Sequence, residues 1–566
     1  MMSTATTRST PLTSAAHAAL MFPALRSAQI ARIASRGVIR PITRAEVLIE
    51  GGQTDVPFFV VTSGEIEVIR PSGLGDLLVA VVHANQFTGD VSMLLGRPAQ
   101  MRLRVSESGE VVQLTRDQMH VLIQTDAEIG AVLMKALIYR RIELVAQGIG
   151  DVLLVGSAHS AATLRIKAFL TRNDHPYKYL DLDRDADVRD LLDRFRVKPA
   201  ELPVLISRGE AVLKNPGNQE IADYLGFNGR IDRVHQRDVV IVGAGPAGLA
   251  AAVYAASEGL DALVLEASSP GGQAGSSSRI ENYLGFPTGI SGQELAGRAY
   301  AQAQKFGAEV MIAKSAAELI CDGRPYGVRL DDGATIPART VIVATGARYR
   351  KPSLANLGKF EGVGVYYNAT FMEEAQLADG DDVIVVGGAN SAGQAAIFLA
   401  QTGRRVHVLV RADSLSESMS RYLLRRIEET PTIHIRTRTE IVALEGNGHL
   451  ERVQWRDGTG AVSSHDIKHV FLMTGAEANT GWLNGCVALD EKGFVKTGSD
   501  LTKGDLAAAQ WPLERSPGLL ETSRPGVFAV GDVRCGNIKR VASAVGEGSI
   551  AISFVHRALA ESFVTS

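Results

Sequence analysis

Val239-Val-Ile-Val-Gly243-Ala-Gly-Pro-Ala-Gly248 decides the fold of this chain. Four apolar residues run without alternation into a glycine-rich turn, and the Ala-rich stretch Leu249 to Glu258 follows at helical spacing. An uninterrupted apolar strand is one buried on both faces, as in a parallel sheet. Gly243, Gly245 and Gly248 allow a tight turn and the close approach of a pyrophosphate, whose charge is met by free N–H groups at the helix start. Pro246 and Ala247 lie within the same turn and are expected to border the cofactor with its glycines. A second apolar strand, Ala262-Leu-Val-Leu, ends on Glu266, which is placed to accept hydrogen bonds from a ribose diol. Strand, glycines, helix and acid together predict a dinucleotide-binding unit.

Outward from this stretch the pattern repeats. Val383-Ile-Val-Val runs into Gly387-Gly388-Ala-Asn390-Ser391-Ala392, a second turn in which Ala389 replaces the middle glycine. Its next strand, Val406-His-Val-Leu-Val410, ends on Arg411 rather than an acid, and a cation there favours the 2′-phosphate of NADP. The chain therefore carries two nucleotide-binding units.

Upstream, Ile30 to Thr115 shows short alternating runs between Gly-containing turns, which predicts a small β-roll closed by one or two helices through Ala146. Val152-Leu-Leu-Val155, Lys178-Tyr-Leu-Asp181 and Leu202-Pro-Val-Leu-Ile206 alternate with helical stretches and predict a compact α/β unit. Asn228-Gly-Arg-Ile reads as the linker to the second half. The expected class is multidomain α/β, which 566 residues accommodate.

The bulk numbers exclude several functions. With 59 basic and 62 acidic residues there is no field to hold nucleic acid. No apolar run approaches the roughly 20 residues of a membrane span, and Met1 to Ser14 has no apolar core before a cleavage site, so a cytoplasmic location is expected. The three cysteines, Cys321, Cys486 and Cys535, have neither a CxxC nor a zinc-ligand spacing, so no metal site is expected and the thiols read as unpaired.

Residues 237 to 566 resemble the low-molecular-weight thioredoxin reductase family. The resemblance rests on Pro270-Gly-Gly272-Gln273, Ile280-Glu-Asn282-Tyr-Leu-Gly-Phe-Pro287, Val343-Ala-Thr-Gly346, Thr474-Gly475 with Asn479-Thr480, Pro525-Gly-Val-Phe-Ala-Val-Gly531-Asp532, and Lys539-Arg540-Val541-Ala-Ser-Ala-Val-Gly-Glu-Gly548, in the family's order. It implies an FAD-binding domain at 237–356 and 479–566, split by an NAD(P)H-binding domain at 357–478, in a homodimer. By the same resemblance Gln273 and Asn282 lie near the flavin, Asp532 holds the ribityl chain, and Arg540 and Val541 reach the ring. The family's redox pair falls on Tyr367-Asn-Ala-Thr-Phe-Met-Glu373, where Asn368 and Phe371 stand in place of cysteine. The family's two-arginine clamp keeps Arg411 but shows Ala412 and Ser416, so NADPH is the expected donor with NADH possible.

Residues 149–230 resemble a glutaredoxin, with Ser157-Ala-His159-Ser160 at the active-thiol position and a cis-proline expected at Leu202-Pro203. Residues 1–148 resemble a cyclic-nucleotide-binding domain, with Phe87-Thr-Gly-Asp90-Val-Ser92 and Gly96-Arg-Pro98 as its phosphate loop. There Asp90 takes the glutamate's place and Ala99 the arginine's, with Arg97 and Arg102 flanking as substitutes. The expected function is an FAD-dependent NAD(P)H oxidoreductase passing hydride through flavin to a small-molecule or protein acceptor without an internal dithiol. A flavin-binding sensor or scaffold is the alternative.

Overall fold

The computed structural model describes residues 19–562 apart from 72–75, 95, 151, 159, 186–187, 189–191, 194, 208–210, 229–230, 278, 368–380, 402–403, 416–418, 448 and 484. It is a multidomain α/β protein. At the N-terminal end, strands Val38–Ile42, Val47–Ile49, Phe58–Arg70, Leu77–Val82 and Arg102–Leu114 form one antiparallel sheet. Phe58, Phe59 and Phe87 fill its interior. Helices Arg116–Thr125 and Ala127–Ala146 close it, as their periodicity predicts. Thr115 and Asp126 accept from the N–H groups of Gln118 and Ile129, satisfying donors that each helix start leaves open.

The next sheet joins Val152–Gly156 in parallel to Tyr177–Asp181 through helix Ala161–Arg172. Val204–Ser207 and Ala211–Lys214 are added antiparallel. Leu202–Pro203 is a cis peptide, as its position predicts. Ile166, Phe169 and Leu205 belong to one continuous apolar cluster with Val239, Ile241 and Val264 of the following unit, so this layer is packed onto the dinucleotide fold. Asn228, expected to be a linker residue, is buried and exchanges two hydrogen bonds with the Ile312 backbone, each 2.8 Å.

Around the first glycine turn, parallel strands Arg237–Val242, Ala262–Glu266, Glu309–Ile312, Thr335–Val343 and Val527–Ala529 continue into antiparallel strands Tyr326–Leu330 and Ala316–Ile320. The second turn lies in a wholly parallel sheet of Val365–Tyr366, His469–Leu472, Asp382–Val386, Arg405–Leu409 and Ile433–Arg436. The chain leaves the first sheet and returns to it through a two-stranded ribbon, Ala347–Tyr349 against Ala476–Ala478. No helix of the described residues is long and apolar enough to cross a membrane.

One expectation is overturned. Cys321 and Cys486 are not free thiols but a disulfide, with Cα atoms 6.0 Å apart and a sequence separation of 165. Cys321 follows an outer strand and Cys486 a short turn behind Gly481–Leu483, so the bond ties together the two chain segments that flank the inserted sheet. No sequence spacing signals a pairing across an insertion. Cys535 remains free, and burial, reinforced by Asp490, pushes its thiol pKa up, away from the reactive thiolate. Denatured without reductant, the protein is expected to titrate one thiol per chain, and three after reduction. Three thiols before reduction would contradict the bond.

Candidate functional site

The glycines of the first turn are required for different reasons. Gly243 has φ +108, and a Cβ there would collide with the Ala344 carbonyl oxygen. A Cβ on Gly248 would collide with the Gly243 carbonyl oxygen. Gly245 has an ordinary φ of −72, and the nearest protein atom to an added Cβ is the Gly272 Cα, 3.9 Å away. Protein packing therefore does not demand a glycine at 245. The cradle above it does, if a pyrophosphate is to approach the start of helix Pro246–Ser257. Gly272 forms the opposite wall at φ +54, and Ala247 is buried behind the turn.

Glu266 is buried at the end of its strand, and its carboxylate accepts from the N–H groups of Ala244 (2.9 Å), Ser268 (2.9 Å) and Ser269 (3.1 Å). Burial pushes its pKa up, opposed by those N–H groups and by the charge of Arg172. A carboxylate has about four lone-pair sites, so accepting three N–H groups from the loop leaves about one for a ligand hydroxyl. Arg172, from the second sheet's helix, donates to the Gly272 carbonyl at 2.9 Å and braces the loop from outside. Sequence reasoning missed it because it lies 100 residues away in another unit. Gln273 donates its side-chain amide to the Ala347 carbonyl. Gly346 has φ +62 with open space where a Cβ would stand. Asn282 is exposed, on a surface loop anchored by Glu281 to Arg426 at 3.1 Å.

The second half of the site comes from the far end of the chain. The Gly531 N–H donates to Glu547 at 2.7 Å, and Glu547 also accepts from Arg534 and Asn537. Glu547, within the quoted Lys539 to Gly548 motif, thus positions the loop, a role its place in the sequence does not reveal. No donor among the described residues bonds the Asp532 carboxylate, and burial pushes its pKa up. A half-buried carboxylate left without a donor suits hydroxyl groups of a ligand. Arg540 is exposed and Val541 half-buried at the start of helix Val541–Ser562.

In the second unit Gly387 has φ +145, and a Cβ there would collide with the Met473 carbonyl oxygen. Gly388 is half-buried in the turn, and Ala389 caps helix Asn390–Ala400 in extended conformation. Asn390 accepts from the Ser420 N–H at 2.7 Å, while Ser391 and Arg411 are exposed. Gly475 has φ +89 beside open space. Asn368, Phe371, Ser416 and His159 lie outside the described residues.

In the N-terminal unit the expected substitute arginines are engaged elsewhere. Arg97 stacks on Phe227 at 4.2 Å and donates toward the Asn173 carbonyl (3.5 Å) and the Tyr300 hydroxyl (3.3 Å). Arg102 pairs with Glu50 and Asp76. Neither guanidinium is held for a cyclic phosphate at Ala99, because each has an aromatic or carboxylate partner outside that position.

Residues 237–548, more than half of the chain, match the family model described as pyridine nucleotide-disulphide oxidoreductase, and residues 39–126 match that of the cyclic nucleotide-binding domain. The chain is 34% identical over 325 residues to a thioredoxin reductase of Mycolicibacterium smegmatis, covering 57% of this chain and 97% of that one. It is 32% identical over 329 residues to NADPH-dependent thioredoxin reductase 3 of Arabidopsis thaliana, covering 57% and 58% respectively. Among solved structures it superposes on T. acidophilum thioredoxin reductase with a TM-score of 0.51 at 28% identity, covering 58% of this chain and all of that one (100%). Lactococcus lactis thioredoxin reductase in its FR conformation gives a TM-score of 0.51 at 26% identity, covering 57% and 99%. The chain belongs to the pyridine nucleotide-disulphide oxidoreductase family, as a thioredoxin reductase-like flavoprotein with an N-terminal cyclic nucleotide-binding-type domain.

Proposed function

We propose that the chain is an FAD-dependent NAD(P)H oxidoreductase that delivers electrons from flavin to its acceptor without a redox dithiol beside the flavin. The observation that carries this reading is the pairing of the open cradle at Gly245 with cysteine-free Tyr367-Asn-Ala-Thr-Phe-Met-Glu373 at the family's dithiol position. FAD bound there supplies a two-electron acceptor for hydride from nicotinamide. Gly243, Gly245, Pro246, Ala247 and Gly248 would hold its pyrophosphate, Glu266 the ribose, and Asp532 the ribityl hydroxyls. Gly272, Gln273, Gly346 and Gly531 would shape the cradle, with Asn282, Arg540 and Val541 toward the ring. Gly387, Gly388, Asn390, Ser391 and Gly475 would receive the nicotinamide dinucleotide. We assign the flavin unit to 237–356 and 479–566, the nicotinamide unit to 357–478, and the two preceding units to 1–148 and 149–230, in a homodimer.

Arg411 is the proposed contact to the 2′-phosphate. One charge-assisted hydrogen bond is worth about 1.5–3 kcal/mol, or roughly 10- to 150-fold, so NADPH should be preferred over NADH by no more than that. Arg411→Ala is expected to bring the two kcat/KM values together. An unchanged NADPH/NADH ratio would remove Arg411 from this role. The reaction itself is tested by anaerobic stopped-flow mixing with NADPH. Rapid loss of oxidised-flavin absorbance supports an enzyme, and a flavin that stays oxidised with both nucleotides supports a sensor instead.

A further inference from the structure

The first glycine turn has no cation of its own. Between Arg237 and Arg279 the sequence contains no Lys, Arg or His, while Asp238, Glu258, Asp261 and Glu266 fall in the same stretch. That stretch holds both walls of the cradle, Gly243 to Gly248 and Gly271 to Gln273. A pyrophosphate entering there meets N–H groups but no positive side chain of the stretch itself, and Glu266 adds a buried carboxylate at one end. Charge taken out of water needs a partner of opposite sign.

The wall at Gly271 and Gly272 also needs support. Both residues have positive φ, +107 and +54, and neither has a side chain to pack. A glycine pair loses much conformational freedom when it is fixed, so its shape is set by what bonds its backbone. On the side of the turn, the Gly271 N–H donates to the Ala244 carbonyl at 2.8 Å. On the other side, the Gly272 carbonyl accepts from Arg172 at 2.9 Å, and a Cβ on Gly275 would stand 3.5 Å from the same Arg172 nitrogen.

Arg172 does not reach the loop alone. It is the last residue of helix Ala161–Arg172, and its neighbours on either side are engaged as well. The Thr171 carbonyl accepts from Gln293 at 3.1 Å, and Asn173, which is buried, donates to the Ser268 carbonyl at 3.5 Å. Three consecutive residues thus seat the end of this helix between the loop and helix Gly292–Lys305. The cation is delivered by a rigid element. Its charge acts on Glu266, against the burial that pushes that carboxyl's pKa up.

We propose that the α/β layer built on helix Ala161–Arg172 is a working part of the flavin site, with Arg172 as a positioning residue that fixes the Gly272 wall and supplies the positive charge that the cradle's own stretch lacks. The proposal rests on the reading of the cradle as an FAD site. It gives this cysteine-free layer a task that needs no thiol.

The test is the FAD dissociation constant of the full-length protein, read from quenching of FAD fluorescence, for the parent and for Arg172→Met, Arg172→Lys and Arg165→Met. Arg165 lies on the same helix and bonds the Asn218 side chain and the Pro216 carbonyl at 2.8 and 2.7 Å, so its loss loosens the layer without touching the loop. Arg172→Met should weaken FAD at least about tenfold, as loss of a charge-assisted contact requires. Arg172→Lys, the gentler change, should lie between Arg172→Met and the parent, because an ammonium keeps the charge but not the planar fork. Arg165→Met should bind FAD like the parent. The proposal is overturned if the parent takes up FAD and either Arg172 variant binds it equally well, or if Arg165→Met loses as much affinity as Arg172→Met. A parent that takes up no FAD would overturn the reading of the cradle itself, and this proposal with it.

Discussion

Gly245→Val protein is expected to fold and to come off the column colourless, while the parent is expected to carry one FAD per chain. The backbone at 245 has φ −72, which valine adopts freely, and the nearest protein atom to a Cβ is 3.9 Å away. The helix loses little at this capping position, about 1 kcal/mol. What the isopropyl group fills is the space a pyrophosphate needs beside the helix N–H groups, so the effect falls on the ligand and not on the fold. Asp532→Ala is expected to be milder, since it removes one acceptor for hydroxyls while the phosphate cradle stays open. Flavin absorbance per chain, read alongside the far-UV circular dichroism, checks both. A Gly245→Val protein with full flavin content would overturn the assignment of the cradle.

The contrast between Gly245 and its neighbours marks how far the sequence could be read. The strand, turn and helix were legible at Val239 to Gly248 because all three elements are contiguous and each has its own period or residue signature. The same holds for Val383 to Ala392. Side chains that act across the fold were not legible. Glu547 reaches back to Gly531, Arg172 reaches from a different unit to Gly272, and Cys321 finds Cys486 across the inserted sheet. None of these leaves a local pattern. Arg97 shows the opposite error. Its place next to Ala99 put a guanidinium near the expected phosphate, but the Phe227 ring and the Asn173 and Tyr300 oxygens hold it in the joint between units.

The largest functional effect expected is the absence of thioredoxin reduction by a dithiol route. That route needs one thiolate poised against the flavin and a second thiol to attack the substrate disulfide, and exchange proceeds only through thiolate sulfur. Asn368 and Phe371 have no sulfur to offer. Cys535 is single, and its thiol is held toward the protonated form by burial and by Asp490. Cys321 and Cys486 are bonded to each other behind the outer strands, where the Cys486 sulfur also lies 3.0 Å from the Leu319 carbonyl oxygen. With NADPH and oxidised thioredoxin, turnover should therefore stay at the background seen without thioredoxin, while small-molecule acceptors restore it.

Anaerobic reductive titration tests this most directly, because it counts electrons without any choice of acceptor. Dithionite is added stepwise to the flavin-loaded protein, and absorbance is followed until the oxidised flavin band is gone. The account predicts that bleaching is complete after two electrons per FAD, with no long-wavelength thiolate-to-flavin absorbance along the way. Four electrons per FAD before bleaching is complete, whichever pair of cysteines takes up the second two, would contradict it.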